Sequence, residues 1–181
     1  MYLTSLISPG ALVCLLALLV PMTSFAQTCK PESIPATTPT SQFIDHGDGT
    51  VTDTKTGLMW KRCSEGQAWN GSTCSDTSES VTYFTWQGAL QQAQAINSTG
   101  GFAGQSDWRV PNPKELTSLV EEQCFEPAIN ITVFPATYTS LFWSSSPSAY
   151  DGNFAWYVAD DEVFWSLKSA SLRVRLVRGG Q

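Results

Sequence analysis

The amino-acid sequence predicts an α+β domain that is stabilised by disulfides. Short strands separated by glycine turns come first, two amphipathic helix patterns follow, and strand patterns dominate the second half of the chain. Helices followed by a run of strands, without regular strand–helix alternation, are typical of the α+β class. The length of 181 residues fits one domain with a core of its own.

The N-terminal segment differs from the rest of the chain. Residues 1–26 carry no charge, and their apolar run at 11–20 is bounded by prolines and followed by the small-residue pattern Ser-Phe-Ala. This predicts a cleaved signal peptide and therefore export. The run is shorter than the roughly 20 apolar residues that span a membrane, so we expect no membrane span in the mature chain. The predicted division is signal peptide 1–26, Pro/Thr-rich leader 27–42 and a single domain 43–181.

Composition argues against two classes of protein. The chain has a formal net charge of −6, with 14% charged and 12% aromatic residues. Globular proteins average about 25% charged residues, so this surface is poor in charge and acidic on balance. Nucleic-acid binding depends on Lys and Arg against phosphate, and disorder accompanies few aromatic residues. We therefore expect neither a nucleic-acid partner nor a disordered domain.

Four cysteines follow the predicted signal peptide, and they allow three pairings. We favour Cys63 with Cys74, because the segment between them contains two glycines and an Asn-Gly pair that fold a short loop back on itself. Cys29 with Cys124 then follows. A metal site is disfavoured, since the chain has no Cys-x-x-Cys spacing and a single histidine.

The strand patterns fall at the two ends of the domain. Residues 30–41 contain three prolines and no apolar period, which predicts a linker. Strands at 43–45, 50–53 and 58–60, separated by turns that contain glycine, predict an antiparallel meander. The late strands are expected at 142–145, 154–158, 163–167 and 172–177. The last of these alternates apolar residues with Arg, so one face is expected to be buried and the other polar.

Two helices are predicted between these groups of strands. The first has Thr85 as its N-cap and ends at Gly100, and the second has the start signal Asn112, Pro113 and Glu115 of a capping box. The apolar faces are Trp86, Ala89, Leu90, Ala93 and Ile96 in the first helix and Leu116, Leu119 and Val120 in the second.

Six ordered motifs resemble the DUF1566 family, also known as the C-terminal domain of the Legionella collagen-like adhesin. They lie at 47–53, 56–60, 83–87, 107–116, 142–146 and 174–178, and the resemblance runs from about Phe43 to Arg178. It implies adhesion to sulfated glycosaminoglycans. Sulfate recognition favours clusters of Arg and Lys, and the only candidate is Arg173, Arg175 and Arg178 in a chain of net charge −6.

A more distant resemblance concerns the fold. Trp-Arg-Val-Pro at 108–111, Trp-Ser-Ser at 143–145 and the motif at 174–178 resemble the Fibrobacter paralogous domain and the formylglycine-generating enzyme group. This implies a C-type-lectin-like domain with two helices and a twisted antiparallel sheet. The oxidases of that group use a cysteine pair near the C-terminus, and this chain has no cysteine after Cys124. We do not expect their activity here.

The sequence offers few residues that are suited to catalysis. His46 is the only histidine and lies in a predicted turn, where it lacks the orienting partner and nucleophile that a general base needs. Asp160, Asp161 and Glu162 fall at a predicted hairpin tip, with Asp151 as a further carboxylate. Nothing in the sequence sets the separation that glycoside hydrolysis requires. We therefore expect no enzyme.

Calcium is the one metal that the sequence leaves open, since oxygen ligands clustered in loops suffice for it. One candidate cluster is Asp45, Asp48 and Asp53, whose spacing lacks the Asp-x-Asp-x-Asp-Gly register. The other consists of Asp151, Asn153, Asp160 and Asp161. No other cofactor is expected.

The late strands combine aromatic with acidic and amide side chains, which suits a binding surface. Trp156 and Tyr157 are expected on opposite faces of one strand, as are Phe164 and Trp165 of the next, so that one of each pair is core and the other exposed. Most of the tryptophans are expected in the core. The candidate ligand-binding residues are Tyr150, Asp151, Asn153, Tyr157, Asp160, Asp161, Trp165, Arg173 and Arg175.

The sequence favours an exported, non-enzymatic ligand-binding or adhesion module that recognises a glycan or a cell-surface protein. The alternative is a structural or assembly subunit, held by its leader in a cell-envelope complex. The location is expected to be periplasmic, cell-surface or extracellular, and the sequence leaves the ligand and the oligomeric state open.

Overall fold

The computed structural model describes residues 27–77, 83–159 and 162–180, so the predicted signal peptide lies outside the described residues. Within these ranges the chain forms two α-helices and eleven short strands, which confirms the α+β class with a predominance of strand. The helices are α1 (Trp86–Ser98) and α2 (Pro113–Thr117). The strands are β1 (Thr28–Cys29), β2 (Phe43–Asp45), β3 (Thr50–Asp53), β4 (Met59–Lys61), β5 (Gln67–Trp69), β6 (Cys74–Asp76), β7 (Cys124–Phe125), β8 (Leu141–Pro147), β9 (Phe154–Ala159), β10 (Glu162–Leu167) and β11 (Val177–Arg178).

Two sheets form the framework of the domain. One has the strand order β11-β4-β3-β2 and the other the order β10-β9-β8, and all their neighbouring strands are antiparallel. The predicted meander is therefore confirmed as β2, β3 and β4. Asp-Gly and Thr-Gly turns connect its strands, with Gly47, Gly49 and Gly57 at positive φ, where a side chain would be strained.

Both predicted disulfides are confirmed. Cys29 and Cys124 are register partners in the small β1–β7 ladder and are bonded to each other. Cys63 and Cys74 are also bonded, but the segment that they enclose is more ordered than the predicted loop, because β5 and β6 form a hairpin inside it.

The local helix signals are confirmed at both N-termini. The Thr85 side chain accepts a hydrogen bond from the Gly88 N–H at the start of α1, and Asn112 and Glu115 form the reciprocal capping box of α2. Beyond α1, Gly101 has a positive φ, and a Cβ there would collide with the Gln105 carbonyl. The chain can therefore turn tightly towards Trp108 only with glycine at this position.

Two hydrophobic clusters form the core. The first joins the meander sheet to α2 and β9, and it includes Trp60, Leu116, Phe134, Val158 and Val177. The second joins α1 to β8 and β9, and it includes Ala89, Trp108, Trp143, Val174 and Leu176. We call residues 172–178 the terminal segment; it contributes side chains to both clusters.

The prediction for the terminal segment is wrong in two respects. Only Val177–Arg178 forms a regular strand, and Leu172 and Arg173 make isolated bridges to Phe84 and Phe142. Both faces of the segment are buried, since residues 172–177 are each at most 8% exposed. The segment passes between two sheets. Its arginines therefore face protein on one side of the segment, and its apolar residues face protein on the other side.

The Pro/Thr-rich leader is docked on the domain, which corrects the linker prediction. The buried Glu121 carboxylate accepts hydrogen bonds from the backbone N–H groups of Thr37 and Thr38 at 2.9 Å each, and from both hydroxyls. Burial alone would raise the pKa of Glu121, but these hydrogen bonds outweigh it and lower the pKa. Thr38 is consequently 3% exposed.

The two disulfides should contribute unequally to stability. They close segments of 95 and 11 residues respectively, and the longer loop loses more chain entropy when it is cross-linked in the unfolded state. Replacing Cys29 and Cys124 by Ser should lower the free energy of unfolding by about 4–5 kcal/mol, and replacing Cys63 and Cys74 by roughly 3 kcal/mol. Urea unfolding of both double variants measures this, and a larger loss for the Cys63–Cys74 variant would contradict it.

Candidate functional site

The edge strand β10 of the β8–β9–β10 sheet carries the exposed aromatic residues of the late strands. Trp165 lies opposite Trp156 in the β9–β10 ladder, Leu167 lies opposite Phe154, and directly paired residues project from the same side of a sheet. We call the side that carries Phe154, Trp156 and Trp165 the aromatic face. Val158 on this face is buried in the first core cluster with α2, so the face is covered at that end and open towards Trp165.

Trp165 is the most exposed tryptophan on this sheet, and its ring is nevertheless held in place. It is 55% exposed, and the Phe154 ring meets it edge-on with the centroids 4.9 Å apart. Trp156 lies beside it and is half-buried. An aromatic ring that its neighbours orient loses little conformational entropy when it binds a ligand.

The opposite face of the sheet runs from core to solvent. Trp143 is fully buried, its ring meets that of half-buried Tyr157 with centroids 6.5 Å apart, and Tyr157 lies 6.0 Å from the Phe164 ring. Phe164 is 44% exposed. The expectation that one residue of each aromatic pair is core and the other exposed is wrong for Trp156 and Tyr157, which are both half-buried. It is also wrong for Phe164 and Trp165. Both are exposed, because β10 is an edge strand that is open on both faces.

The loop between β8 and β9 lies near the end of β10. Tyr150 at its tip is 98% exposed, and the Asp151 carboxylate accepts a hydrogen bond from the Asn153 N–H at 2.8 Å. The Lys168 ammonium donates to the Gly152 carbonyl at 2.6 Å, which ties the loop to the chain just after β10. Asp151 thus has a turn-forming role. Asp160 and Asp161 lie outside the described residues.

Arg173 and Arg175 do not join the aromatic face. They are 6% and 1% exposed, so these two members of the candidate arginine cluster are not available at the surface. Arg178, the third member of that cluster, pairs with Asp107 at 2.6 Å. This side-chain hydrogen bond lowers the pKa of Asp107.

Arg175 is buried but well provided with hydrogen-bond partners. Its Nη1 donates to the carbonyls of Lys61 and Arg62, and its Nη2 donates to the Thr137 hydroxyl at 2.8 Å. The Phe134 ring lies 4.7 Å from the guanidinium. Burial lowers the pKa of Arg175 to about 9, so the group remains protonated at neutral pH.

Arg173 has fewer hydrogen-bond partners than Arg175. Tyr83 and Tyr138 lie on its guanidinium, with the ring centroids 4.8 and 4.5 Å away, and Nη2 makes one long hydrogen bond to the Tyr83 hydroxyl. Its buried Nε and Nη1 have no hydrogen-bond partner among the described residues. The Tyr138 hydroxyl donates to Asp76 at 3.1 Å, and this bond together with burial raises the pKa of Tyr138.

The structure also contains a cleft that was not predicted from the sequence. This cleft of about 460 Å³ lies between the β5–β6 hairpin and α1, with Trp69 and Phe102 among its lining residues. Its polar lining includes Lys61 and Glu65, which form a buried ion pair at 2.6 Å, and Gln92, which donates to Glu65 at 3.0 Å. These polar groups bind one another, so the cleft offers them to a ligand only in competition with the existing network.

Asp45, Asp48 and the histidine have local structural roles. Asp48 accepts hydrogen bonds from the Thr50 N–H and hydroxyl, Asp45 pairs with Arg62 at 2.6 Å, and His46 contacts Thr52 at 2.8 Å. Across residues 27–77, 83–159 and 162–180, no group of three or more His, Cys, Asp or Glu side chains is placed to hold a metal ion. No helix in these ranges is long and apolar enough to cross a membrane.

The fold and its cross-links define the class of this protein as a disulfide-bonded α+β domain, mostly of strand, with an exposed aromatic sheet edge. Residues 49–178 match the family model of the Lcl C-terminal domain, and the chain therefore belongs to that family. This confirms the resemblance to the C-terminal domain of the Legionella collagen-like adhesin. No curated protein matches the chain. The more distant resemblance to the formylglycine-generating enzyme group has no support from these comparisons.

The two buried arginines should differ in how strongly their replacement affects stability. Arg175→Met would leave the Lys61 and Arg62 carbonyls without their buried donor, so we expect it to lower the free energy of unfolding by about 2–4 kcal/mol. Arg173→Met removes a buried charge with two unpaired donors, and we expect a change within about 0.5 kcal/mol.

Urea unfolding of both variants measures the contrast, and near-UV circular dichroism controls for a native core. A loss at Arg173 as large as the loss at Arg175 would contradict the prediction, because it would mean that its surroundings stabilise the Arg173 guanidinium as strongly as those of Arg175.

Proposed function

We propose that this domain is an exported, non-enzymatic ligand-binding or adhesion module that recognises a glycan or a surface protein through its aromatic face. Membership of an adhesin domain family supports the general role. The single observation that carries the location is the exposed Trp165, held edge-on by Phe154 and flanked by Trp156. Sugar rings and apolar peptide side chains both stack on such oriented aromatic groups.

The charge distribution bears on which ligands are suitable. The chain has a net charge of −6, and Arg173 and Arg175 are buried. Arg178 is paired with Asp107. Recognition of sulfate favours accessible Arg and Lys clusters, so these observations favour a neutral glycan or a protein over a sulfated polymer. Acceptors near the face, such as Asp151 and Asn153, suit hydroxyl donors on such a ligand.

The proposal includes the absence of an enzymatic activity. His46 is exposed and contacts only the Thr52 hydroxyl among its described side-chain hydrogen bonds, so it has no carboxylate to orient it as a general base. Asp45, Asp48 and Asp53 are occupied by turn and ion-pair contacts. Calcium binding at Asp151, Asn153, Asp160 and Asp161 remains part of the hypothesis to be tested.

Export and the C-type-lectin-like fold complete the proposal. Two disulfides are consistent with an oxidising compartment. The order of two helices before a late antiparallel sheet is consistent with the fold that the distant resemblance implies. The alternative role, as an assembly subunit held by its leader, requires a leader that reaches a partner. The docking of Thr37 and Thr38 on Glu121 leaves that part of the leader unavailable.

Trp165→Ala should weaken ligand binding at least about tenfold, because the loss of one central aromatic contact costs roughly 2 kcal/mol or more at a binding hot spot. The mature protein is first screened on a glycan array and by pull-down from surface proteins, with and without calcium. The dissociation constant for the ligand found is then measured for the variant.

Phe125→Ala is the matched control, since Phe125 is an aromatic residue 45% exposed in the separate β1–β7 ladder. It should leave binding unchanged. Failure to find a ligand in either screen, or equal losses for both variants, would contradict the proposal. Co-purification with one fixed envelope protein and no glycan binding would favour the assembly role.

A further inference from the structure

The free edge of the β8–β9–β10 sheet is β10. The Lys168 N–H, which continues the β10 register, donates to the Asn153 carbonyl just before the neighbouring strand β9 at 2.8 Å. Backbone groups of alternate residues in a strand point to the same side, so residues 162, 164 and 166 face β9. The N–H and C=O groups of Val163 and Trp165 therefore point away from the sheet. No partner strand for them occurs among the described residues.

This edge lacks the protection that natural sheets give to exposed strands. Charged residues, proline or a covering loop normally block such an edge. Residues 163–166 are Val, Phe, Trp and Ser, without a charge or a proline. Val163, Phe164, Trp165 and Leu167 are 38%, 44%, 55% and 49% exposed. An open row of hydrogen-bonding groups beside exposed apolar side chains suits the addition of another strand.

We propose that a second copy of this chain pairs with β10 in antiparallel orientation, about a two-fold axis at Trp165. In this register Val163 lies opposite Leu167 of the other copy, and Trp165 lies opposite Trp165. Glu162 lies opposite Lys168 of the other copy, so two pairs of opposite charge close the ends of the ladder. Lys168 already donates to Gly152 with one of its three N–H groups, which leaves donors for Glu162.

The geometry selects this register from its neighbours. The outward groups belong to odd-numbered residues, so the ladder must pair odd with odd, and registers that are shifted by one residue are excluded. A shift by two residues in either direction removes the contact between Glu162 and Lys168. Only the register centred on Trp165 places the apolar residues of one face opposite each other and also places Glu162 opposite Lys168 of the other copy.

This dimer would also affect ligand binding, an inference that rests on the proposed function. Opposite residues in a ladder share a face, so the aromatic faces of both copies would lie on the same side of one six-stranded sheet. A ligand with repeated epitopes would then meet two adjacent Trp165 platforms, and the second contact would be intramolecular. Dimerisation itself requires no ligand, so it can be tested separately from binding.

The test is a charge exchange that is followed by sedimentation equilibrium of the purified, disulfide-bonded protein. The unchanged chain should form a dimer. Glu162→Lys and Lys168→Glu should each place two like-charge pairs in the ladder, and the dissociation constant of the dimer should rise at least about tenfold. An equimolar mixture of the two variants should form heterodimers, because each copy then supplies the charge that the other lacks.

The double variant E162K/K168E controls for loss of the Lys168 contacts to Gly152 and Trp86, since it lacks them and should still dimerise. Circular dichroism confirms that each variant is folded. A monomer for the unchanged chain, or a trimer, which an isologous strand pair cannot form, would overturn the proposal. Single variants that dimerise as well as the unchanged chain would overturn the register. The outcome is independent of whether Trp165 binds a ligand.

Discussion

The rest of the structure depends on the backbone hydrogen bonds of the terminal segment. The segment pairs with β4 at Val177 and Arg178, and its Leu176 carbonyl accepts a hydrogen bond from the Lys61 N–H. On the other side, the Trp143 N–H of β8 donates to the Arg173 carbonyl at 2.9 Å. The meander sheet and the late sheet are therefore joined by one extended stretch of chain. Val177 contributes to the first core cluster and Val174 to the second.

This position explains which surfaces are left for function. Because the terminal segment is covered on both sides, its arginines are used inside the protein, where Arg175 holds backbone carbonyls of the β4 region. The late sheet is covered by α1 on one face and by α2 at one end of the other. The aromatic face and the β10 edge remain open, and they are the surfaces on which the proposed ligand contact and the proposed strand pairing depend.

The sequence predicts those parts of the fold that have local causes. The Asn112–Glu115 capping box and the glycine turns of the meander act within a few residues, and the structure contains both. The burial of the terminal segment has no such local cause. Its Leu-Arg-Val-Arg-Leu alternation predicts a half-exposed strand, because the sequence does not show the aromatic rings that cover Arg173 and Arg175. Those rings come from Tyr83, Tyr138 and Phe134, which are distant in the sequence.

The candidate site could be predicted only in part. The aromatic content of β9 and β10 points to this sheet, but strand order decides that β10 is an edge, so that Phe164 and Trp165 are both exposed. The cleft beside Lys61 and Glu65 depends on how the β5–β6 hairpin packs near α1. Neither the sequence of the hairpin nor that of α1 predicts this packing.

Residue-resolved native-state hydrogen exchange tests the central role of the terminal segment most directly. The amide protons of Arg173 and Val177, together with those of Glu65 and Trp143 that donate to the segment, should exchange only through global unfolding. Their free energies of exchange should then equal the free energy of unfolding measured with urea. Exchange of these four amides through a local opening of lower free energy, while the β8–β9 ladder stays protected, would contradict the account.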